Sequence, residues 1–359
     1  MFGLLPAFFV AYANGANDNF KTVATLFGSR VASYPRALAV STVATFAGSV
    51  VAAFLAEALV KAFSGRSLVP DAVAGTPDFM LAVALGAAGT VMLATWRGLP
   101  VSTTHGIIGA LAGAGAIAAG SQVSAGALAA AFLAPLLLSP VLAIGLALAG
   151  YKLAQRTARR LGITKQTCIC VAPGRFVPVQ HFNGTAALHR PPIVVAPSQA
   201  ECFDKYGTTV QRMLDSLHYF SAAAVSFARG LNDTPKIAAL LVGAAALQVD
   251  LSCFAVGVVM ALGGLLSGRK VAITMSQKIT RLNDGQALVA NLVTSMLVIA
   301  ASRYGLPVST THVSVGGLTG IGIANRSLEW KMLSGIVLAW VVTLPVAAVI
   351  GAMAMAVIR

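Results

Sequence analysis

Long apolar blocks alternate with short polar stretches along the whole chain. In the first half they cover residues 1–29, 36–60, 79–96, 102–119 and 125–150, the first being interrupted by a polar run at 14–21. The pattern returns at 217–249, again interrupted, and then at 251–266, 285–302, 309–324 and 333–358. Blocks of about 17–25 residues can cross the hydrocarbon of a bilayer as helices. The pattern predicts an all-α polytopic membrane protein with about five membrane segments in each half. Small residues let helices approach closely in lipid, as expected at Gly109/Gly113 and Gly316/Gly320. The blocks 102–119 and 309–324 are short and glycine-rich, so each reads either as a full span or as a re-entrant hairpin.

Residues 151–216 interrupt the pattern with a basic, polar segment that includes the run HRPPIVVAPSQ. This divides the chain into a first membrane repeat (1–150), a cytoplasmic connector (151–216) with room for a small β-hairpin, and a second membrane repeat (217–359).

Composition narrows the picture. Charged residues make up 10% of the 359 residues and apolar residues 57%, whereas a soluble domain carries about 25% charged residues. Most of the surface must therefore face lipid, and a cytosolic enzyme is excluded. The net charge of +14 forms no single patch. The basic residues sit between apolar blocks, where they hold loops to the cytoplasmic side, and no nucleic-acid partner is expected. Cys168, Cys170, Cys202 and Cys253 read as reduced thiols. With His181, the first three could gather a metal, but C-x-C is not a zinc-knuckle spacing. The N-terminus lacks a basic leader region and reads as a mature first helix.

The chain repeats itself. GLPVSTTH occurs at Gly98–His105 and again at Gly305–His312, and the glycines that follow match as well. Upstream, GANDNFK at 15–21 pairs with GLNDTPK at 230–236. Equivalent loops carry opposite charge bias: Arg30 and Arg36 against Asp250, and the balanced 61–78 against the basic 267–284. By the positive-inside rule they lie on opposite sides of the membrane. Two inverted-topology repeats follow, with both termini outside and broken helices or re-entrant hairpins at the motifs, a ground plan of secondary transporters.

Each motif suggests a chemistry. Asn17, Asp18, Asn232 and Asp233 lie inside apolar blocks, where a carboxylate must face a partner, an ion or water. Gly15 and Gly230 would permit a helix break, freeing carbonyls that with the carboxylates suit a hard monovalent cation. The bland alternative is a packing ion pair, since Lys21 and Lys236 follow each Asp by three residues and share its helix face. In PVSTTH, proline precedes a helix start with Ser102 or Ser309 as N-cap. Thr103, Thr104, Thr310 and Thr311 then add hydroxyls to free N–H groups at a positive dipole end, an anion site. The alternative is an ordinary capped helix. His105 and His312 read as structural hydrogen-bonding groups rather than a proton relay.

These residues together resemble the inorganic phosphate transporter (PiT) family, over both halves outside 151–216. The resemblance implies a symporter in the plasma or inner membrane that carries inorganic phosphate by alternating access, coupled to sodium or protons. A sulfate permease is the alternative, since related members carry sulfate. The implied binding positions are Asn17, Asp18, Asn232, Asp233, Ser102, Thr103, Thr104, Ser309, Thr310, Thr311 and Lys236, with the aspartates and asparagines on the coupling ion. No catalytic residue and no cofactor beyond sodium is implied. Lipid is the surrounding partner, and a homodimer is left open. One position departs: the family's first motif continues as GANDVANA, with Asn where this chain has Lys21. A fixed charge replaces an amide there, which is expected to weaken sodium coupling in favour of protons or a different anion.

Overall fold

In the computed structural model the described residues are 4–55, 57–164, 167–171, 176–177, 187–188, 193–196, 208–243, 247–278 and 284–359. Fifteen helices are found among them. The first half contains α1 (Leu4–Asp18), α2 (Ala24–Gly28), α3 (Tyr34–Leu55), α4 (Glu57–Ala62), α5 (Asp71–Ala74), α6 (Pro77–Trp96), α7 (Thr103–Ala119), α8 (Ala125–Ala127) and α9 (Ala134–Arg160). A π-turn at Leu128–Leu133 joins the last two. The second half contains α10 (Val210–Gly243), α11 (Val249–Ser267), α12 (Arg269–Lys278), α13 (Asp284–Arg303), α14 (Thr310–Asn325) and α15 (Trp330–Ile358). Six helices among the described residues are long and apolar enough to cross a membrane: Tyr34–Leu55, Pro77–Trp96, Ala125–Arg160, Val249–Ser267, Gly285–Arg303 and Trp330–Ile358. Val43, Phe54, Leu137, Leu266 and Met296 lie exposed on their outer faces, as suits surfaces solvated by lipid.

Between the halves, α9 continues to Arg160 and α10 begins at Val210. Five short strands lie between them: β1 (Cys168–Val171), β2 (Phe176–Val177), β3 (Ala187–Leu188), β4 (Ile193–Ala196) and β5 (Thr208–Thr209). β1 pairs antiparallel with β4 and β5, and β2 with β3. The segment thus holds two small sheets where the sequence suggested one hairpin. Cys202 and His181 lie outside the described residues.

Helix pairing follows an exchange of the two halves. α7 packs on α15 as α14 packs on α9, and α3 packs on α10 as α11 packs on α1, each across the halves, while α6 packs on α7 as α13 packs on α14 within one half. Glycines make the exchange close. A Cβ built on Gly113 would lie 1.9 Å from the Ala348 carbonyl oxygen, and one on Gly320 would lie 2.4 Å from that of Ile144.

Gly15 and Gly230 play this same part, which corrects the expectation that they break their helices. A Cβ on Gly15 would lie 1.9 Å from Met260 O, and one on Gly230 would lie 2.1 Å from Thr45 O. Helix α10 runs unbroken through Gly230 and Pro235. In the first half the chain breaks after Asp18, passing through Asn19 and Phe20 into a 3-10 turn at Lys21–Val23 before α2.

Two apolar cores sit at opposite ends of the bundle. One gathers Val10, Phe63, Phe79, Ile108, Phe132, Leu240 and Met355. The other gathers Phe20, Leu26, Leu38, Val271, Met275 and Trp340. The motif residues of both halves lie buried between them.

Candidate functional site

Each GLPVSTTH motif forms the same bent approach to a helix. Gly98 and Gly305 both adopt φ +68, a left-handed turn that glycine takes without a Cβ penalty. The turn tips reach short helices beyond the site: Lys270 Nζ donates to Trp96 O at 3.4 Å, and a Cβ on Gly305 would meet Ala58 at 2.7 Å. The chain then returns in extended form to the centre, where α7 and α14 begin. α6 and α13 therefore run past the polar layer, while their partner helices start within it. Ser102 Oγ accepts from His105 N and Ser309 Oγ from His312 N, both at 3.3 Å. The two serines are N-caps as expected, and their hydroxyl oxygens are engaged by their own helices.

The two asparagines hold these extended segments in place. Asn17 Nδ2 donates to Leu99 O at 3.0 Å and to Thr95 Oγ1 at 2.8 Å, while its Oδ1 accepts from Val101 N at 3.1 Å. Asn232 Nδ2 donates to Val308 O at 3.2 Å, and its Oδ1 accepts from Ser302 Oγ at 3.3 Å. Asn17 thus uses both the donor and the acceptor of its amide on backbone that has left regular structure, and Asn232 ties that backbone at Val308 to Ser302 near the end of α13.

The charged residues link the halves. Lys21 pairs with Asp18 and donates to Val101 O at 2.6 Å and Thr311 Oγ1 at 3.2 Å. Lys236 pairs with Asp233 at 3.4 Å and donates to Val308 O at 2.6 Å and Thr104 Oγ1 at 2.9 Å. Thr103 Oγ1 donates to Asp18 Oδ2 at 2.9 Å. Thr104 Oγ1 lies 3.4 Å from Val308 O, so the two serine–threonine turns touch. Thr310 is buried in the first turn of α14. All twelve positions singled out in the sequence thus fall within one buried layer.

Asn14 and Arg229, with Asn19 beside them, belong to this layer and are absent from that set. The Arg229 guanidinium is 1% exposed. It donates to Asn14 Oδ1 at 2.5 Å and Asn19 Oδ1 at 3.1 Å, and its Nε lies 3.6 Å from Asp233 Oδ2. Asn14 Nδ2 lies within reach of Asp18 Oδ2, Thr103 Oγ1 and Asp233 Oδ2, at 3.0, 3.0 and 3.3 Å. Each directly precedes its Gly-x-Asn-Asp run, so Asn14 and Arg229 are equivalent positions of the repeat. A charge in an apolar block beside a repeated motif was the available signal for Arg229.

The histidines meet where the halves exchange. Their ring centroids lie 4.4 Å apart, edge to face. Nδ1 of His105 lies 3.1 Å from Trp340 O, and Nδ1 of His312 lies 3.4 Å from Leu136 O. Each ring ties its helix start to a helix of the other half. Among the described residues no cluster of His, Cys, Asp and Glu could hold a metal ion.

From this layer a cleft of 30 Å³ runs past Lys21, Thr22, Thr25, Ser276, Asn291 and Ser314. At the other end of the bundle a wider groove of 430 Å³ is lined by Glu57, Lys61, Ser64, Arg66 and the end of α10.

The model of the phosphate transporter family matches residues 14–351. A Rhizobium meliloti protein named "Probable low-affinity inorganic phosphate transporter" is 29% identical, the match covering 97% of this chain and 92% of that one. "Inorganic phosphate transporter 2-1, chloroplastic" of Arabidopsis thaliana is 27% identical over 96% of this chain and 70% of its own. Among solved structures, one titled "The sodium-dependent phosphate transporter" superposes with a TM-score of 0.78 at 21% identity, covering 99% of both chains. That likeness extends the fold match through the whole helical bundle. This chain is a multi-pass membrane protein, a transporter rather than an enzyme, and it belongs to the phosphate transporter family.

Proposed function

We propose that this chain carries inorganic phosphate across the cell membrane by alternating access, with the anion held where the two serine–threonine turns meet. The observation that carries this reading is the contact of Thr104 with Val308 and of Lys21 with Thr311. It brings both helix starts, two lysines and Arg229 to one buried point. Helix N-termini and hydroxyls supply hydrogen bonds to a tetrahedral oxyanion, and fixed cations supply charge. Asp18 and Asp233 supply acceptors. A protonated oxygen of phosphate can use one and fully ionised sulfate cannot, so phosphate is favoured over sulfate.

Charge at the two ends supports an orientation. Arg30, Arg36, Lys152, Arg156, Arg159, Arg160, Arg212, Arg269 and Lys270 flank the helix ends beside the connector. Lys61, Arg66, Arg303 and Arg359 at the other end are balanced by Glu57, Asp71, Asp78 and Asp250. The positive-inside rule puts the connector in the cytoplasm, with the two halves inverted about the membrane plane. The Lys21 cleft then opens inward and the wide groove outward. The inward cleft is far smaller than the outward groove, so release to the inside calls for the hairpins α6–α7 and α13–α14 to shift against the helices that flank them.

Uptake of labelled phosphate and labelled sulfate into proteoliposomes tests the reading. Saturable phosphate uptake against its gradient, reduced in Asp233→Asn, is expected. Sulfate uptake exceeding phosphate uptake would overturn the substrate assignment, and non-saturable flux would point to a channel.

A further inference from the structure

The two motif lysines sit in matching shells of oxygen. Lys21 Nζ has the carboxylate of Asp18 across the break after α1, the carbonyl of Val101 in its own half at 2.6 Å, and the hydroxyl of Thr311 from the other half at 3.2 Å. Lys236 Nζ has the carboxylate of Asp233 at 3.4 Å, the carbonyl of Val308 at 2.6 Å, and the hydroxyl of Thr104 at 2.9 Å. Carboxylate, peptide carbonyl and hydroxyl are the oxygen ligands a hard cation takes. An ammonium carries the same single charge as a monovalent metal ion, but it is tied to the chain and cannot leave with the substrate.

The charge balance of the layer favours this arrangement. Lys21, Lys236 and Arg229 face Asp18 and Asp233 at close range, and all five are buried. Three cations against two carboxylates leave one positive charge, which a phosphate monoanion neutralises. An uncharged side chain at position 21 would leave the layer neutral before phosphate enters, and the buried anion would then need a soluble cation beside it.

We propose that Lys21 and Lys236 are tethered counter-cations occupying two equivalent cation sites, so that this chain binds and carries phosphate without sodium. The proposal rests on the reading of this layer as the phosphate site and adds which cation balances it. Lys21 is the discriminating residue, because it caps the only break among the motif helices described: the helix α1 ends at Asp18 and the chain bends there to bring the ammonium back onto the carboxylate.

The test uses the purified full-length chain and its Lys21→Asn variant. Equilibrium binding of radioactive sodium is measured on both, and phosphate uptake is measured in proteoliposomes with sodium or choline outside at one pH. The expected result is no saturable sodium binding and equal uptake in both salts for the unaltered chain. Lys21→Asn should gain saturable sodium binding, and its uptake should become several-fold greater in sodium than in choline. Saturable sodium binding by the unaltered chain, or loss of its uptake in choline, overturns the proposal. So does a Lys21→Asn variant that still shows a phosphate-induced rise in Tm yet binds no sodium. Lys21→Gln provides the same comparison if the asparagine variant does not fold. Should no variant carry phosphate, the transport reading fails, while sodium binding alone still decides the cation assignment.

Discussion

Lys236 and Thr104 are 132 residues apart in sequence, and the ammonium of one donates to the hydroxyl of the other at 2.9 Å. The equivalent bond, Lys21 to Thr311, spans 290 residues at 3.2 Å. Each lysine leaves its own half to use the second threonine of the other half's turn. The site is therefore assembled by the exchange and neither repeat contains it alone.

This crossing predicts matched effects. Thr104→Val and Thr311→Val keep the side-chain shape and remove one acceptor from a buried ammonium. A hydrogen bond to a charged group contributes about 1.5–3 kcal/mol, so each variant should lose roughly tenfold or more in the initial rate of phosphate uptake. Initial rates in proteoliposomes, normalised to inserted protein, provide the check. A large loss in one variant and none in the other would show that the two bonds are not functionally equivalent.

Asp233 is placed to separate stability from transport. Its carboxylate faces Lys236, Arg229, Asn14 and Asn232. Asp233→Asn leaves two buried cations short of a counter-charge, and breaking a buried pair costs about 3–5 kcal/mol. A lower Tm and uptake reduced more than tenfold are expected. Pairing it with Lys236→Met removes one unmatched charge, so the double variant should recover much of the Tm without recovering uptake. Recovery of both would mean that the pair is structural and does not meet the substrate.

Much of this fold was legible in the sequence because duplication writes each constraint twice. GLPVSTTH and Gly-x-Asn-Asp marked the chain segments that build the site, and the Ser102 and Ser309 caps formed as their spacing implied. Asp233 and Lys236 pair along one helix face as their three-residue spacing implied, whereas Lys21 meets Asp18 across the break that follows α1. What could not be read was which partner each small residue meets. Gly15 and Gly230 looked like helix breakers beside a carboxylate, but they serve contacts with Met260 and Thr45, which depend on helices distant in sequence. Arg229 was missed because its repeat equivalent is Asn14, so it has no charged twin to draw attention to it. The asparagines were assigned to the substrate and a coupling ion, and the structure adds that they bond backbone at Leu99, Val101 and Val308. That role becomes visible only when the extended segments are in place.

Arg229 should not tolerate replacement by lysine. Its guanidinium spans Asn14, Asn19 and Asp233 from one fixed plane, a reach that a single ammonium cannot match. Arg229→Lys is expected to lower uptake at least tenfold and to reduce Tm by several degrees. Near-normal transport by this variant would show that only the charge at 229 matters.

The glycine contacts predict a stability difference with an internal control. Gly113→Ala forces a methyl to within 1.9 Å of the Ala348 carbonyl oxygen, so α7 and α15 must separate, whereas a Cβ on Gly335 meets nothing within 4 Å. Overpacking costs about 1–3 kcal/mol or more. Gly113→Ala should yield less folded protein and a lower Tm in detergent, and Gly335→Ala should match the unaltered chain. Equal Tm values for both would place α15 elsewhere.

The narrow cleft gives a direct test of which side the site faces. Ser276 lines it together with Lys21, Asn291 and Ser314, and Ser64 lines the groove at the other end. With the four native cysteines replaced by serine, Ser276→Cys should react with a membrane-impermeant maleimide in inside-out vesicles and stay protected in right-side-out vesicles. Ser64→Cys should show the reverse. Phosphate should slow labelling of Ser276→Cys, because occupying the layer beneath Lys21 favours a state in which the inner cleft is shut. Labelling of both positions from one side would contradict the orientation drawn from the basic helix ends. Labelling of Ser276→Cys unaffected by phosphate, in protein that transports it, would show that the cleft is not on the substrate's path.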